Sequence, residues 1–232
     1  MNIELLISEF ETAIKEIEKI YLELPDEYFF TEKELHSYFY HICLSNSSFT
    51  IKSRLNLIHT EYPTPFKCSL EKTHPYFKIQ NTNSEYIRSH IDLVLLNPNF
   101  IEWLSKFKNP YDYIRGLRNE LFSKYIKDFI SKYEQFYKET KENILLYALE
   151  FKYFRIGYEG AKYPIISIAQ DVEKLKNIKS FKLDFMKNEL PFSNKILSLV
   201  FIGDKNKKII KEYGIDKYCK ENTDVIRLIT KI

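Results

Sequence analysis

Hydrophobic and polar residues alternate along this chain in two periods. At helical spacing, Ile3, Leu6, Ile7, Phe10, Ile14, Ile17, Ile20 and Tyr21 form one stripe, which predicts an amphipathic helix over residues 2–23. Pro25 follows its end. Thr31 with Glu34 three positions on forms a capping box that opens a second helix running to about Leu44. After a polar stretch at 45–50, Leu55 to Tyr62 reads as a strand ended by Pro63 and Pro65. Tyr76 to Gln80 reads as a short strand, and Tyr86 to Leu96 as a longer one, broken by Asn97-Pro98-Asn99. Helical spacing returns over 100–142 as a short helix and then a long one, with Ile114, Leu117, Leu121, Tyr125, Phe129, Tyr133 and Phe136 on one stripe. The rest reads as a strand at 145–153, a loop from Arg155 to Pro164, a helix at 168–179 and a strand from Ile196 to Ile202. A helix from Lys205 to Tyr213, closed by Gly214, and a last strand from Val225 to Thr230 follow. Mixed helices and strands imply an α/β or α+β fold, a central mixed sheet flanked by helices.

Two of these strands carry charge where packing would favour Val or Leu. Asp92 lies in Ile91-Asp92-Leu93-Val94-Leu95-Leu96, and Glu150 and Lys152 lie in the apolar run from Leu145 to Tyr153. Glu150 and Lys152 are two apart, so they share one face, with Leu149 and Phe151 on the other. A buried carboxylate is costly unless a cation compensates it. Two carboxylates and an ammonium together suit a divalent cation and an activated water. The alternative is a structural salt bridge at a strand end.

Asp92 followed by Glu150-Phe151-Lys152 resembles the signature of the PD-(D/E)XK nuclease superfamily, the restriction-endonuclease-like fold. The resemblance covers roughly residues 31–204, and Ile91 stands where the motif's proline is expected. Asp92 and Glu150 are 58 positions apart, which places the helical insertion of 100–142 between the two halves of the site. The resemblance implies Asp92 and Glu150 as ligands of Mg²⁺, with Mn²⁺ as a substitute, the backbone carbonyl of Phe151 completing the site, and Lys152 orienting or deprotonating the attacking water. Residues 1–30 form an N-terminal helix packed on this core, and 31–232 the nuclease-like domain.

Supporting residues cluster around this motif. Glu61, near the end of its strand, is either a further metal ligand or an exposed acid. Glu34 either supports the metal site or only completes its capping box. Arg88 and His90 share the face of Asp92 and suit a contact to the phosphate. Gln170 and Lys174 are four apart on the helix after Glu-x-Lys and also suit a phosphate, with Asp171 beside them on a solvated face. A rival grouping of His59, Glu61, His90 and Asp92 suits a transition metal.

Composition narrows the picture. With 5 glycines in 232 residues, no phosphate-cradling glycine pattern occurs. Cys43, Cys68 and Cys219 are widely spaced, which fits reduced thiols in a cytoplasm and not a cysteine-held cluster. No signal peptide or membrane-spanning run is visible. Net charge is +3, but ten acids lie in residues 1–34 and ten lysines in 174–211, so these two stretches differ in sign. The basic part suits a nucleic-acid backbone. The expectation is a metal-dependent nuclease acting on DNA, an endonuclease of restriction, defence or repair type, with the insertion available for a homodimer. The alternatives are an inactive nucleic-acid-binding or assembly module of the same fold, and a helical interaction protein.

Overall fold

A five-stranded mixed sheet organises the chain, in the order β1-β2-β3-β4-β5. The computed structural model describes residues 2–25, 28–51, 56–67, 88–107, 122–154, 164–182, 186–203 and 207–231. The strands are β1 (Ile58–Lys67), β2 (Arg88–Leu96), β3 (Leu145–Phe154), β4 (Ser193–Ile202) and β5 (Ile226–Thr230). β2 runs antiparallel to β1 and β3, whereas β3, β4 and β5 are mutually parallel. The helices are α1 (Ile3–Glu23), α2 (Glu32–Leu44), α3 (Pro98–Ser105), α4 (Phe122–Thr140), α5 (Pro164–Lys179), α6 (Lys207–Glu212) and α7 (Ile215–Glu221). This is the mixed sheet flanked by helices that the periodicity implies. A parallel pair needs a crossover, and α5 supplies it between β3 and β4.

One sheet face is aromatic. Tyr147, Leu149, Phe151 and Tyr153 alternate out of β3 onto α1 and α2. Phe10 of α1 packs on Tyr147 at 4.9 Å between ring centroids, and Tyr21 packs on Phe201 at 4.8 Å. Phe39 of α2 meets Phe10 at 5.6 Å and Phe151 at 5.5 Å. The stripe of α1 is buried at Leu6, Phe10, Ile14, Ile17 and Tyr21, while Lys195 and Arg227 anchor its acidic flank through Glu11 and Glu18, both at 2.6 Å. The opposite face carries Glu150 and Lys152 and is covered by α5.

The insertion packs at the far end of the sheet. Phe129, Tyr133 and Phe136 are buried, with Phe136 at 5.0 Å from Phe100 and Tyr133 at 5.9 Å from Phe192. The described part of its aromatic stripe is therefore core. Asn97 caps α3 and bonds the Asn143 carbonyl at 2.8 Å, which closes the turn from β2 into the insertion against the start of β3.

Several boundaries differ from the sequence reading. β1 continues through Pro63 and Pro65 to Lys67, with a register shift between Pro63 and Lys67. It is an edge strand, where a missing N–H is tolerated. α5 begins at Pro164, because proline suits the first turn. Gly214 does end α6, at φ 65°, in the left-handed region that glycine adopts without penalty. α7 then follows at once, a helix that its seven residues were too short to announce. The strand expected at Tyr76–Gln80, the loop at 155–163 and the Ile114–Leu121 part of the insertion lie outside the described residues. Cys43 and Cys219 are free and buried, and burial pushes the Cys219 thiol up to about 11. Among the described residues no helix is long and apolar enough to cross a membrane.

Phe39 joins α1, α2 and β3 in one contact set, so Phe39→Ala is expected to cost about 3–5 kcal/mol. Urea denaturation monitored by circular dichroism measures it. A loss below about 1 kcal/mol would mean that this face repacks freely.

Candidate active site

The site forms where β2 and β3 part. Their ladder runs from Leu95↔Tyr147 to Leu93↔Leu149. One step further, the Phe151 N–H would ordinarily bond a β2 backbone carbonyl. Instead it donates to Asp92 Oδ2 at 2.7 Å. The Asp92 carboxylate thus stands in for backbone and wedges the strands open. Because a residue's N–H and C=O point to the same side of a strand, the Phe151 carbonyl also faces the β2 side.

Six charged side chains fill this fork. Glu150 is 1% exposed. Its Oε2 accepts from Lys174 Nζ at 2.7 Å, while its Oε1 is buried without a hydrogen-bond partner among the described residues. Lys174 also donates to the His90 carbonyl at 2.8 Å and lies 3.5 Å from Asp171 Oδ1. Asp171 Oδ2 pairs with Lys152 at 3.0 Å. Glu32 Oε1 lies 3.7 Å from Lys152, and its Oε2 accepts from the Tyr153 N–H at 3.1 Å. The Tyr153 hydroxyl fastens the preceding loop by donating to the Phe29 carbonyl at 2.9 Å.

Charge in this cluster does not balance. Four carboxyl groups, Glu32, Asp92, Glu150 and Asp171, face two ammonium groups, so two negative charges would be left over if every carboxyl were ionised. Burial pushes the Glu150 carboxyl well above the ordinary range, and the neighbouring Asp92 charge adds to it against the pull of Lys174. Glu32 is also raised, by burial first, with Lys152 opposing. Burial works against both ammonium groups, yet the acids hold them above the ordinary lysine value. Asp171 acts most strongly on Lys152, and Glu150 on Lys174. Both lysines therefore remain charged at neutral pH.

Asp92, Glu150 and Lys152 come together as the motif implies. Lys174 and Asp171 depart from expectation. Lys174 is buried against Glu150 and does not face outward toward a phosphate, and Asp171 is buried between the two lysines and not on a solvated face. Both belong to the inward stripe of α5 with Ile168, Val172, Leu175 and Ile178. Gln170, half-buried beside Asp171, does not join the ion pairs among the described residues. Glu34 is exposed and completes the capping box, accepting from the Phe30 and Thr31 N–H groups at 2.5 and 3.0 Å. The acid of α2 that reaches the site is Glu32, which the sequence reading missed. The signal was present: one step of three back from the buried stripe Leu35, Phe39 and Cys43 lands on Glu32.

Glu61 lies on β1 between Thr60 and Tyr62, which pair with Leu93 and Ile91, so it stands level with Asp92. It is exposed, and its φ of 50° places a non-glycine residue in the left-handed region. The His90 side chain is exposed, and the cluster uses its carbonyl. Arg88 opens β2, and its side chain lies outside the described residues. The His59 ring bonds the Asn56 carbonyl at 2.9 Å, and among the described residues neither His59, Glu61, His90 and Asp92 nor the four acids of the fork form a group of three or more ligands at metal-binding spacing. The transition-metal grouping is thus not assembled. The Asp92–Glu150 pair fits a hard cation that keeps several waters, as Mg²⁺ does, since two carboxylates and a carbonyl are an oxygen-only set and one carboxylate oxygen is buried unpaired.

Comparison with protein-family models, with curated proteins and with solved structures finds no match to this chain.

The raised Glu150 carboxyl predicts a pH dependence. The folded chain keeps this proton where the unfolded chain has lost it, so the associated stability is present below 4.5, the ordinary value, and is lost as pH rises through the raised one. Glu32 acts in the same sense. With divalent cations chelated, the melting temperature should decline from mildly acidic pH toward neutrality, less steeply in Glu150→Gln. An identical slope in that variant would assign the effect elsewhere. Glu34→Ala should cost about 1 kcal/mol from the lost capping box and leave the site unchanged, as measured by urea denaturation.

Proposed function

We propose that this chain is a metal-dependent nuclease of the PD-(D/E)XK kind, hydrolysing DNA phosphodiester bonds, with Asp92, Glu150 and Lys152 at its centre. The observation that carries this reading is a cluster in which four carboxyl groups face two ammonium groups, with a buried, unpaired Glu150 oxygen. One divalent cation would balance the cluster with all four carboxyls ionised. The strand arrangement supports the same fold assignment: an antiparallel β1-β2-β3 meander, then α5 as crossover to a parallel β4, with both acids at the fork.

The chain's residues have separate tasks. Asp92 and Glu150, with the Phe151 carbonyl on the same side, would hold Mg²⁺ or Mn²⁺. That ion, when bound, lowers the pKa of a water and stabilises charge on a phosphoryl oxygen. Lys152 stays an ammonium, so it serves as a donor and a positive charge for the phosphate, not as a general base. Its side chain is 20% exposed, against 10% for Lys174, which leaves Lys152 the cation within reach of a substrate. Asp171 and Glu32 hold it in place. The lysines of 174–211 other than Lys174 and Lys195 suit the flanking backbone phosphates.

The ion pairs of Lys152 favour one alternative. Since Asp171 and Glu32 already neutralise it, the same fold without cleavage would serve as a nucleic-acid-binding or assembly module. The test is incubation with supercoiled plasmid and single-stranded circular DNA in Mg²⁺, Mn²⁺ or EDTA. Glu150→Ala and Lys152→Ala should each lower cleavage by at least about a hundredfold, with EDTA abolishing it. Metal-independent binding without cutting by wild type would establish the alternative. Cutting that survives both substitutions would place the chemistry elsewhere.

A further inference from the structure

Lys174 has a geometry that the proposed reaction does not by itself require. An ammonium carries three protons and no acceptor. Two of them go to Glu150 Oε2 at 2.7 Å and the His90 carbonyl at 2.8 Å, and Asp171 Oδ1 lies 3.5 Å away. The side chain is buried under α5 and tied to β2, β3 and its own helix, so its position is set by three elements at once. Of the two Glu150 oxygens, Oε2 is engaged by a charge-assisted hydrogen bond, and Oε1 is buried with no hydrogen-bond partner among the described residues.

A carboxylate held this way offers one oxygen to a cation. Ca²⁺ takes about six to eight oxygens and often uses both oxygens of one carboxylate, whereas Mg²⁺ is smaller, octahedral and keeps its waters. We propose that Lys174 is a positioning residue that sets the ion selectivity of the Asp92–Glu150 site, by holding Glu150 Oε2 and so restricting Glu150 to a one-oxygen contact that favours Mg²⁺ and Mn²⁺ over Ca²⁺. This rests on the reading that the pair binds a divalent cation. Lys152 does not share the role, since its partners are Asp171 and Glu32.

The experiment is calorimetric titration of Mg²⁺, Mn²⁺ and Ca²⁺ into wild type, Lys174→Met, Lys174→Arg and Glu150→Gln. Losing the Lys174 charge strengthens attraction for every divalent ion, so the ratio of Ca²⁺ to Mg²⁺ affinity isolates the contribution of the released oxygen. In Lys174→Met this ratio is expected to rise on the order of tenfold, while Lys174→Arg, which keeps charge and donors, stays near wild type. An unchanged ratio in Lys174→Met, with binding that still needs Glu150, overturns this inference and leaves the cation reading standing. No binding to wild type, or binding that persists in Glu150→Gln, overturns both. Should the Met variant fail to fold, the infrared carboxylate stretches of wild type decide. Their splitting on Mg²⁺ addition, with Glu150→Gln as the reference, should be that of one-oxygen coordination, and a two-oxygen pattern overturns the inference.

Discussion

Six ionisable side chains gathered in one strand fork, with Glu150, Asp171 and Lys174 buried, constrain the whole sheet. Each ion taken from water costs several kcal/mol unless partners replace its hydration. Here those partners come from α2, β2, β3 and α5, so none of these elements can shift without leaving a charge unpaired. Lys174 shows the principle at one atom, since its Nζ joins β2 backbone, β3 carboxylate and α5 carboxylate. Glu32 does the same for α2, through the Tyr153 N–H and Lys152. The fork sets four carboxyl groups against two ammonium groups, so its stability depends on the protonation of Glu150 and Glu32.

The other face of the sheet makes that constraint affordable. Phe10, Phe39, Phe151, Tyr21 and Phe201 form a continuous aromatic contact set directly beneath the fork. Phe151 belongs to both layers, with its ring in this core and its backbone N–H on Asp92. Acidic groups are thereby held on rigid strands and not on loops, the arrangement that keeps a site within tight geometric tolerance.

The two lysines divide their work by burial and by partners. Lys174 is buried between Glu150, the His90 carbonyl and Asp171 and acts on Glu150. Lys152 sits nearer the surface between two acids, one of them 3.7 Å away, and retains donor capacity. Both are held charged by the surrounding acids, so neither lysine is a proton acceptor at neutral pH.

Periodicity alone determined most of the architecture: the amphipathic α1, the capping box of α2, the apolar runs of β2, β3 and β4, and the aromatic stripe of the insertion. It also exposed Asp92, Glu150 and Lys152, because a charge within an apolar strand is a violation visible in one dimension. Glu32, Asp171 and Lys174 were harder to see, since helices carry charges on most turns and only the packed face separates a buried acid from a solvated one. Glu34 drew attention because its capping partner is local, while the partners of Glu32 lie more than a hundred residues away. Which oxygen of Glu150 is held, and where β2 leaves β3, were decided by tertiary structure alone. The first depends on Lys174 of α5 and the second on Asp92 taking the Phe151 N–H, long-range contacts that no local pattern encodes.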